Sequence, residues 1–233
     1  MSRFRSVPNV ATSVVNGSTS YVYGITSTGS YFSFQAGTTP SSLSLQALPS
    51  GLPSTVNITA ITADKYGYLY VTDTANPNGN PGSIYVFYSN NGTLQLIATF
   101  NTGNFNDLNN PTAITTYVGN NPSQQYCTTG QCEFIEVANG NGNIMQLIMP
   151  VPGFAGANPS ISLNEFNAPY ANCEVYNTGA MTSFPDATLT GIAGNTVPYV
   201  YIGQNGTKTG PCLGVISTNT FGNSVTAYLS KGE

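Results

Sequence analysis

Residues 57–100 read NITAITADKYGYLYVTDTANPNGNPGSIYVFYSNNGTLQLIATF. Four alternating segments stand out: NITAITAD from 57, GYLYVTD from 67, SIYVFYS from 83 and TLQLIAT from 93. Each is six to eight residues long, rich in β-branched and aromatic residues and bounded by Gly, Asn or Pro. That is the signature of strands joined by short turns, and Asn91-Gly92 between the last two is a two-residue hairpin signal. No segment of the chain carries a helical period over ten residues or more.

The same order recurs on both sides. Upstream lie ATSVVNG at 11, SYVYGIT at 20, SYFSFQA at 30 and SLSLQAL at 42. Downstream come PTAITTYV at 111, CEFIEVA at 132, NIMQLIM at 143 and SISLNEF at 160, then ATLTGIAG at 187, PYVYIGQ at 198, CLGVIST at 212 and SVTAYLS at 224. The second strands SYVYGIT, GYLYVTD, CEFIEVA and PYVYIGQ alternate alike. Repetition of one supersecondary unit argues for an array that shares its core between neighbours. The expectation is an all-β chain forming a small four-bladed β-propeller of four-stranded antiparallel blades, at 11–48, 57–100, 111–166 and 187–230. An N-terminal arm at 1–10 precedes a single domain at 11–233. The alternative is a β-sandwich with the sixteen strands divided differently.

The unit at 57–100, with ITADKYGYLYVTD followed by GSIYVFYSNNGTL, resembles the repeat of NHL-type propellers. The resemblance implies the propeller fold. It lacks the arginine usual in the third strand and the regular repeat length, so it implies no function.

Composition restricts the setting. Of 233 residues, 40% are hydrophobic and only 6% are charged, with 15 Tyr, 11 Phe and no His. The charged share of soluble domains is roughly 25%, so solubility here falls to Asn, Thr, Ser and Gln. Amides and hydroxyls do not titrate, so such a surface keeps its hydration from strongly acid to neutral pH. The net charge of −4, without a basic cluster, argues against nucleic acid. No run approaches the ~18 apolar residues of a membrane span, and MSRFRSVPNV at the start has no apolar h-region of a signal peptide.

Cys127, Cys132, Cys173 and Cys212 allow three pairings. The natural reading is a tight Cys127–Cys132 loop and a long-range Cys173–Cys212 bridge, since no zinc-knuckle spacing occurs and no His could complete a site. In a propeller the insertions 76–81, 167–186 and 206–211 emerge on one face, with Cys173 and Cys212 beside them. Disulfides fit a secreted or virion protein, or an intracellular hyperthermophile protein.

Chemistry finds little purchase. A Ser or Cys nucleophile lacks its histidine. The acids are Asp64, Asp73, Asp107, Glu133, Glu136, Glu165, Glu174, Asp186 and Glu233. Asp64 and Asp73 end strands and read as turn formers, and Glu133 and Glu136 have opposite strand parity, so they point to different faces. The oxygen-rich loop from Asp73 to Asn80 offers one carboxylate, too little for tight calcium binding. The reading is therefore no enzyme, no cofactor and no metal. Asn16, Asn57, Asn91 and Asn205 begin N-x-S/T triplets, candidate glycosylation sites, though no more of them than so Asn-, Ser- and Thr-rich a chain carries by chance. Three are Asn-Gly turns, which would be exposed and glycosylatable in a protein that passes the right machinery. Several Asn-Gly pairs, Asn91-Gly92 among them, are prone to deamidation in hot neutral media and less so in acid. Tyr170 and Tyr176, in the longest insertion, are the candidate ligand-face residues, because Tyr combines an apolar ring with a polar tip.

In composition the chain resembles the surface and virion proteins of thermoacidophilic archaea and their viruses. That resemblance implies a virion-located, non-enzymatic structural or attachment protein: a tail, spike or capsid-decoration component in an oligomeric assembly. Its partners would be other virion or surface-assembly proteins, and host-surface glycans. The alternatives are a secreted or cell-surface adhesin or filament subunit, and a carbohydrate-active propeller enzyme.

Overall fold

The computed structural model describes residues 9–15, 19–64, 66–74, 82–101, 108–120, 131–140, 144–150, 164–166, 178–184, 199–206, 210–217 and 226–231, with side chains over 19–64, 66–74, 82–101, 108–117, 133–140 and 145–147. All regular structure among these residues is β. Sixteen strands form four separate four-stranded antiparallel sheets, each made of consecutive strands. The first comprises β1 (Asn9–Val15), β2 (Thr19–Ile25), β3 (Ser30–Gln35) and β4 (Gln46–Ala47). The second comprises β5 (Ile58–Ala63), β6 (Tyr68–Asp73), β7 (Ser83–Asn90) and β8 (Thr93–Asn101). The third has β9 (Pro111–Asn120), β10 (Gln131–Asn139), β11 (Ile144–Pro150) and β12 (Asn164–Phe166). The fourth has β13 (Thr178–Phe184), β14 (Tyr199–Gly206), β15 (Gly210–Ser217) and β16 (Thr226–Lys231). The chain divides into two compact units, Met1–Pro111 and Thr112–Glu233, each described by itself below.

Within the first unit the two sheets share a core. Tyr23, Ile25 and Tyr31 from the first sheet pack with Ile58, Ile61, Leu69, Val71, Tyr85, Phe87 and Leu94 from the second. Strand periodicity explains the choice: Leu69 and Val71, and Tyr85 and Phe87, are two residues apart and so share a face. The opposite face of β6 is buried too, through Tyr68, Tyr70 and Thr72. Hence β6 is buried on both faces, as a strand covered on two sides is.

Polar links cross between these sheets. Tyr23 Oη is hydrogen-bonded to Ser89 Oγ, Ser33 Oγ donates to the Gly92 carbonyl at 2.6 Å, and the Leu94 amide reaches Tyr31 Oη at 3.5 Å. The β7–β8 connection, Asn91-Gly92, has φ of 50° and 86°. Positive φ at both positions is what a type I′ hairpin demands, and Asn-Gly is the pair that tolerates it best. A Cβ on Gly92 would lie 3.1 Å from the Tyr21 ring, so the tip of the second sheet fits closely against the first.

Two expected strands come out differently. The alternation over 42–48 predicts a full strand, but only Gln46–Ala47 pair, with Ser30 and Tyr31. Leu45 is 53% exposed while Leu48 packs partly buried against the shared core, and Pro40 and Pro49 bracket the segment with residues that cannot donate to a ladder. Of the segment 160–166, Asn164–Phe166 form the strand β12, and 160–163 lie outside the described residues. The fourth sheet begins at Thr178–Phe184 (TGAMTSF). The segment 187–194, expected to supply that strand, lies outside the described residues.

Candidate functional site

Four of the nine acids have described side chains, and all four are buried: Asp64, Asp73, Glu133 and Glu136. Burying a charge is costly unless hydrogen bonds replace its hydration, so their partners decide what they can do.

Asp64 closes the β5–β6 turn. Its Oδ1 accepts the amides of Tyr66 and Tyr68, both at 2.8 Å, while its own amide donates to the Tyr68 carbonyl at 2.9 Å. Its Oδ2 accepts the Tyr70 hydroxyl at 3.2 Å. This is an aspartate mimicking a backbone turn, as its strand-end position suggests. Asp73 ends β6 and ties two neighbours together: Oδ1 accepts the Asn57 amide at 2.7 Å and Oδ2 accepts the Tyr85 hydroxyl at 2.8 Å. Burial, and then the adjacent Asp73 carboxylate, push the Tyr85 phenol well above the ordinary tyrosine range.

In the third sheet, Glu133 Oε1 accepts the Thr116 hydroxyl at 2.8 Å. Glu136 Oε1 accepts the Gln146 amide at 2.6 Å and the Tyr117 hydroxyl at 3.1 Å. Burial pushes the Glu136 carboxyl up to about 7, against the pull of those two hydrogen bonds. Thr116 and Tyr117 are consecutive residues of β9, so Glu133 and Glu136 lie on opposite faces of the sheet, as their parity requires. They do not form a facing carboxylate pair of the kind that glycoside hydrolysis uses.

The other sequence-derived candidates divide by where they fall. Cys127, Cys173, Tyr170, Tyr176, Asn16 and the loop at 75–81 lie outside the described residues, so the disulfide pairing and the ligand face do too. Cys132 and Cys212 occupy β10 and β15, opposite Pro150 and opposite Gln204 and Lys231, and Asn205 is in β14 opposite Pro211; their side chains are likewise outside the description. Asp107, Glu174, Asp186 and Glu233 lie outside as well, as does the side chain of Glu165 in β12. Asn57 and Asn91 are both exposed. Among the described residues no group of three or more metal-ligating side chains comes together, and no helix is long and apolar enough to cross a membrane.

Sequence reasoning passed over Gln146 and Tyr117. A visible signal was the lone amide in the apolar strand IMQLIMP and the lone acid in FIEVA, since a polar residue in a buried strand needs a partner.

The sheets define an all-β, propeller-like fold, and the comparisons agree. No family model and no curated protein matches the chain. Among solved structures it is similar to a GH62 hydrolase crystallised in complex with xylotriose, a five-bladed β-propeller, with a TM-score of 0.51 and 14% sequence identity over 93% of this chain and 67% of that one. At that identity the likeness concerns the fold alone.

Proposed function

We propose that this chain is a non-enzymatic structural and attachment protein of a virus particle, a tail, spike or capsid-decoration component. Its four four-stranded sheets would serve as blades of a small propeller that presents loops to partners or to host-surface glycans. The observation that carries this reading is the fate of the carboxylates. Asp64, Asp73, Glu133 and Glu136 are buried and engaged by backbone amides, hydroxyls and an amide side chain of their own unit. In a chain with no histidine and 6% charged residues, that leaves little for acid–base chemistry among the described carboxylates. It supports the reading that this protein works through shape and uncharged polar surface. A secreted or cell-surface adhesin or filament subunit would use the same properties.

The second reading is a carbohydrate-active propeller enzyme, favoured by the likeness to a hydrolase solved with xylotriose. Electron microscopy of particles purified from the source tests both. Density for this chain in symmetric contact with other particle proteins is the expected result. A free monomer that hydrolyses aryl glycosides or xylo-oligosaccharides would overturn the proposal in favour of the enzyme.

A further inference from the structure

Two N-x-T triplets have described side chains, and their geometries differ. Asn57-Ile58-Thr59 runs into the core. The Asn57 amide donates to Asp73 and its Nδ2 to Thr74 Oγ1, both at 2.7 Å, while the Thr74 amide returns to the Asn57 carbonyl at 3.1 Å. Ile58 is buried in the shared core. The Thr59 hydroxyl donates to the Pro111 carbonyl at 2.7 Å and lies 2.9 Å from Thr72 Oγ1. Both groups that define the triplet are occupied by the fold.

Asn91-Gly92-Thr93 is the reverse case. Asn91 and Thr93 are exposed at the tip of the β7–β8 hairpin. Asn91 Nδ2 lies 3.4 Å from Oδ1 of the equally exposed Asn90, too long to hold it firmly. The rigidity of this triplet resides in its backbone: φ is positive at Asn91 and Gly92, and the Gly92 carbonyl accepts Ser33 Oγ. The tip is thus anchored through its glycine while the acceptor amide and the threonine hydroxyl face solvent.

We propose that Asn91 is an N-glycosylation site of this protein, in preference to Asn57. Asn91 Nδ2 attacks the anomeric carbon of a sugar carried on a lipid phosphate or pyrophosphate. The N–C bond forms, the C–O bond to phosphate breaks, the lipid phosphate departs with that electron pair, and a base of the transferase takes the Nδ2 proton. The glycan then extends from the hairpin tip into solvent, a location suited to such a bulky hydrophilic group. It also protects the site chemically. Asn-Gly deamidation expels the side-chain nitrogen as ammonia, and a glycosylated nitrogen is no longer that leaving group. The inference stands apart from the attachment role: it needs only that the chain meet a glycosyl transferase, and its failure leaves that role untouched.

The test is intact-mass and peptide mass spectrometry on the full chain purified from its source. Chymotrypsin suits it, because cleavage after Tyr88 and Phe100 isolates the hairpin. The expected result is a hexose- or N-acetylhexosamine-bearing peptide at Asn91, with the Asn57 peptide at its unmodified mass. Asn91 found bare or converted to Asp, or a glycan on Asn57 in its place, would overturn the proposal. Because Asn91 occupies a positive-φ position, the variants are made at the exposed Thr93 and produced in the source. Thr93→Val should lose the added mass completely and Thr93→Ser should keep it. Retention of the mass in Thr93→Val refutes the assignment.

Discussion

The hydroxyl of Tyr23 on β2 is hydrogen-bonded to Ser89 on β7, 66 residues further along the chain, and neither side chain reaches solvent. The pair joins the first sheet to the second, with Tyr23 a member of their shared core. Burial raises the Tyr23 phenol above its ordinary range, with the Ser89 hydrogen bond opposing, so the tyrosine stays neutral throughout the working range.

Removing one hydroxyl strands the other. Tyr23→Phe and Ser89→Ala should each cost about 1–2 kcal/mol of stability, because each leaves a buried polar group without its partner. The double variant should cost less than the sum of the two. Urea titration of the four proteins measures this, and strict additivity would mean that the pair does not couple the sheets.

Asp73 distinguishes charge from geometry. Asp73→Ala should destabilise by roughly 2–3 kcal/mol, since the Asn57 amide and the Tyr85 hydroxyl both lose their acceptor. Asp73→Asn keeps an oxygen for the amide, and its NH2 group can donate to a reoriented Tyr85 hydroxyl, so it should cost about half as much. Equal losses in thermal melts would count against a hydrogen-bonding role.

The pH dependence has a defined sign. Glu136 titrates near 7 when folded and near 4.3 when unfolded, so the native state holds its proton more tightly. The stabilisation is complete below the unfolded value, declines as pH rises and is gone above about 7. The loss between these limits is on the order of 3 kcal/mol. Glu136→Gln, neutral at every pH, should flatten that slope in denaturation curves taken from pH 4 to 8. An unchanged slope would transfer the effect to another group.

Gly92 is a test of the hairpin. Gly92→Ala places a Cβ 3.1 Å from the Tyr21 ring at a φ of 86°, and should cost about 1–2 kcal/mol from the left-handed backbone alone. Asn91→Gly should be nearly neutral, because glycine adopts that conformation without strain. A neutral Gly92→Ala, seen in chemical denaturation, would mean that the turn relaxes away from the first sheet.

Strand identity was largely legible in the sequence. Over 57–100 the expected strands agree with β5 to β8 within two residues, because alternation, bounding turns and Asn91-Gly92 all favour the same assignment. The outer strand of the first sheet was the weak point. SLSLQAL alternates as well as any inner strand, yet only Gln46–Ala47 pair, since propensity does not say whether a second surface will cover it. The carboxylates followed the same division. Parity put Glu133 and Glu136 on opposite faces of β10, but that Glu136 meets Gln146 and Tyr117 depends on strand register.

The local pattern of this chain determined by itself that it is all-β, that its strands come in four sets of four, and that Asn91-Gly92 turns a hairpin, because alternation and turn chemistry act over a few residues. Only the tertiary structure decided that Ser89 answers Tyr23, that Asp73 holds Asn57 and Tyr85, and that Glu136 is kept protonated up to neutral pH. Those outcomes depend on which buried groups meet across tens of residues and on how far water is excluded, and neither is encoded in the spacing of any one segment.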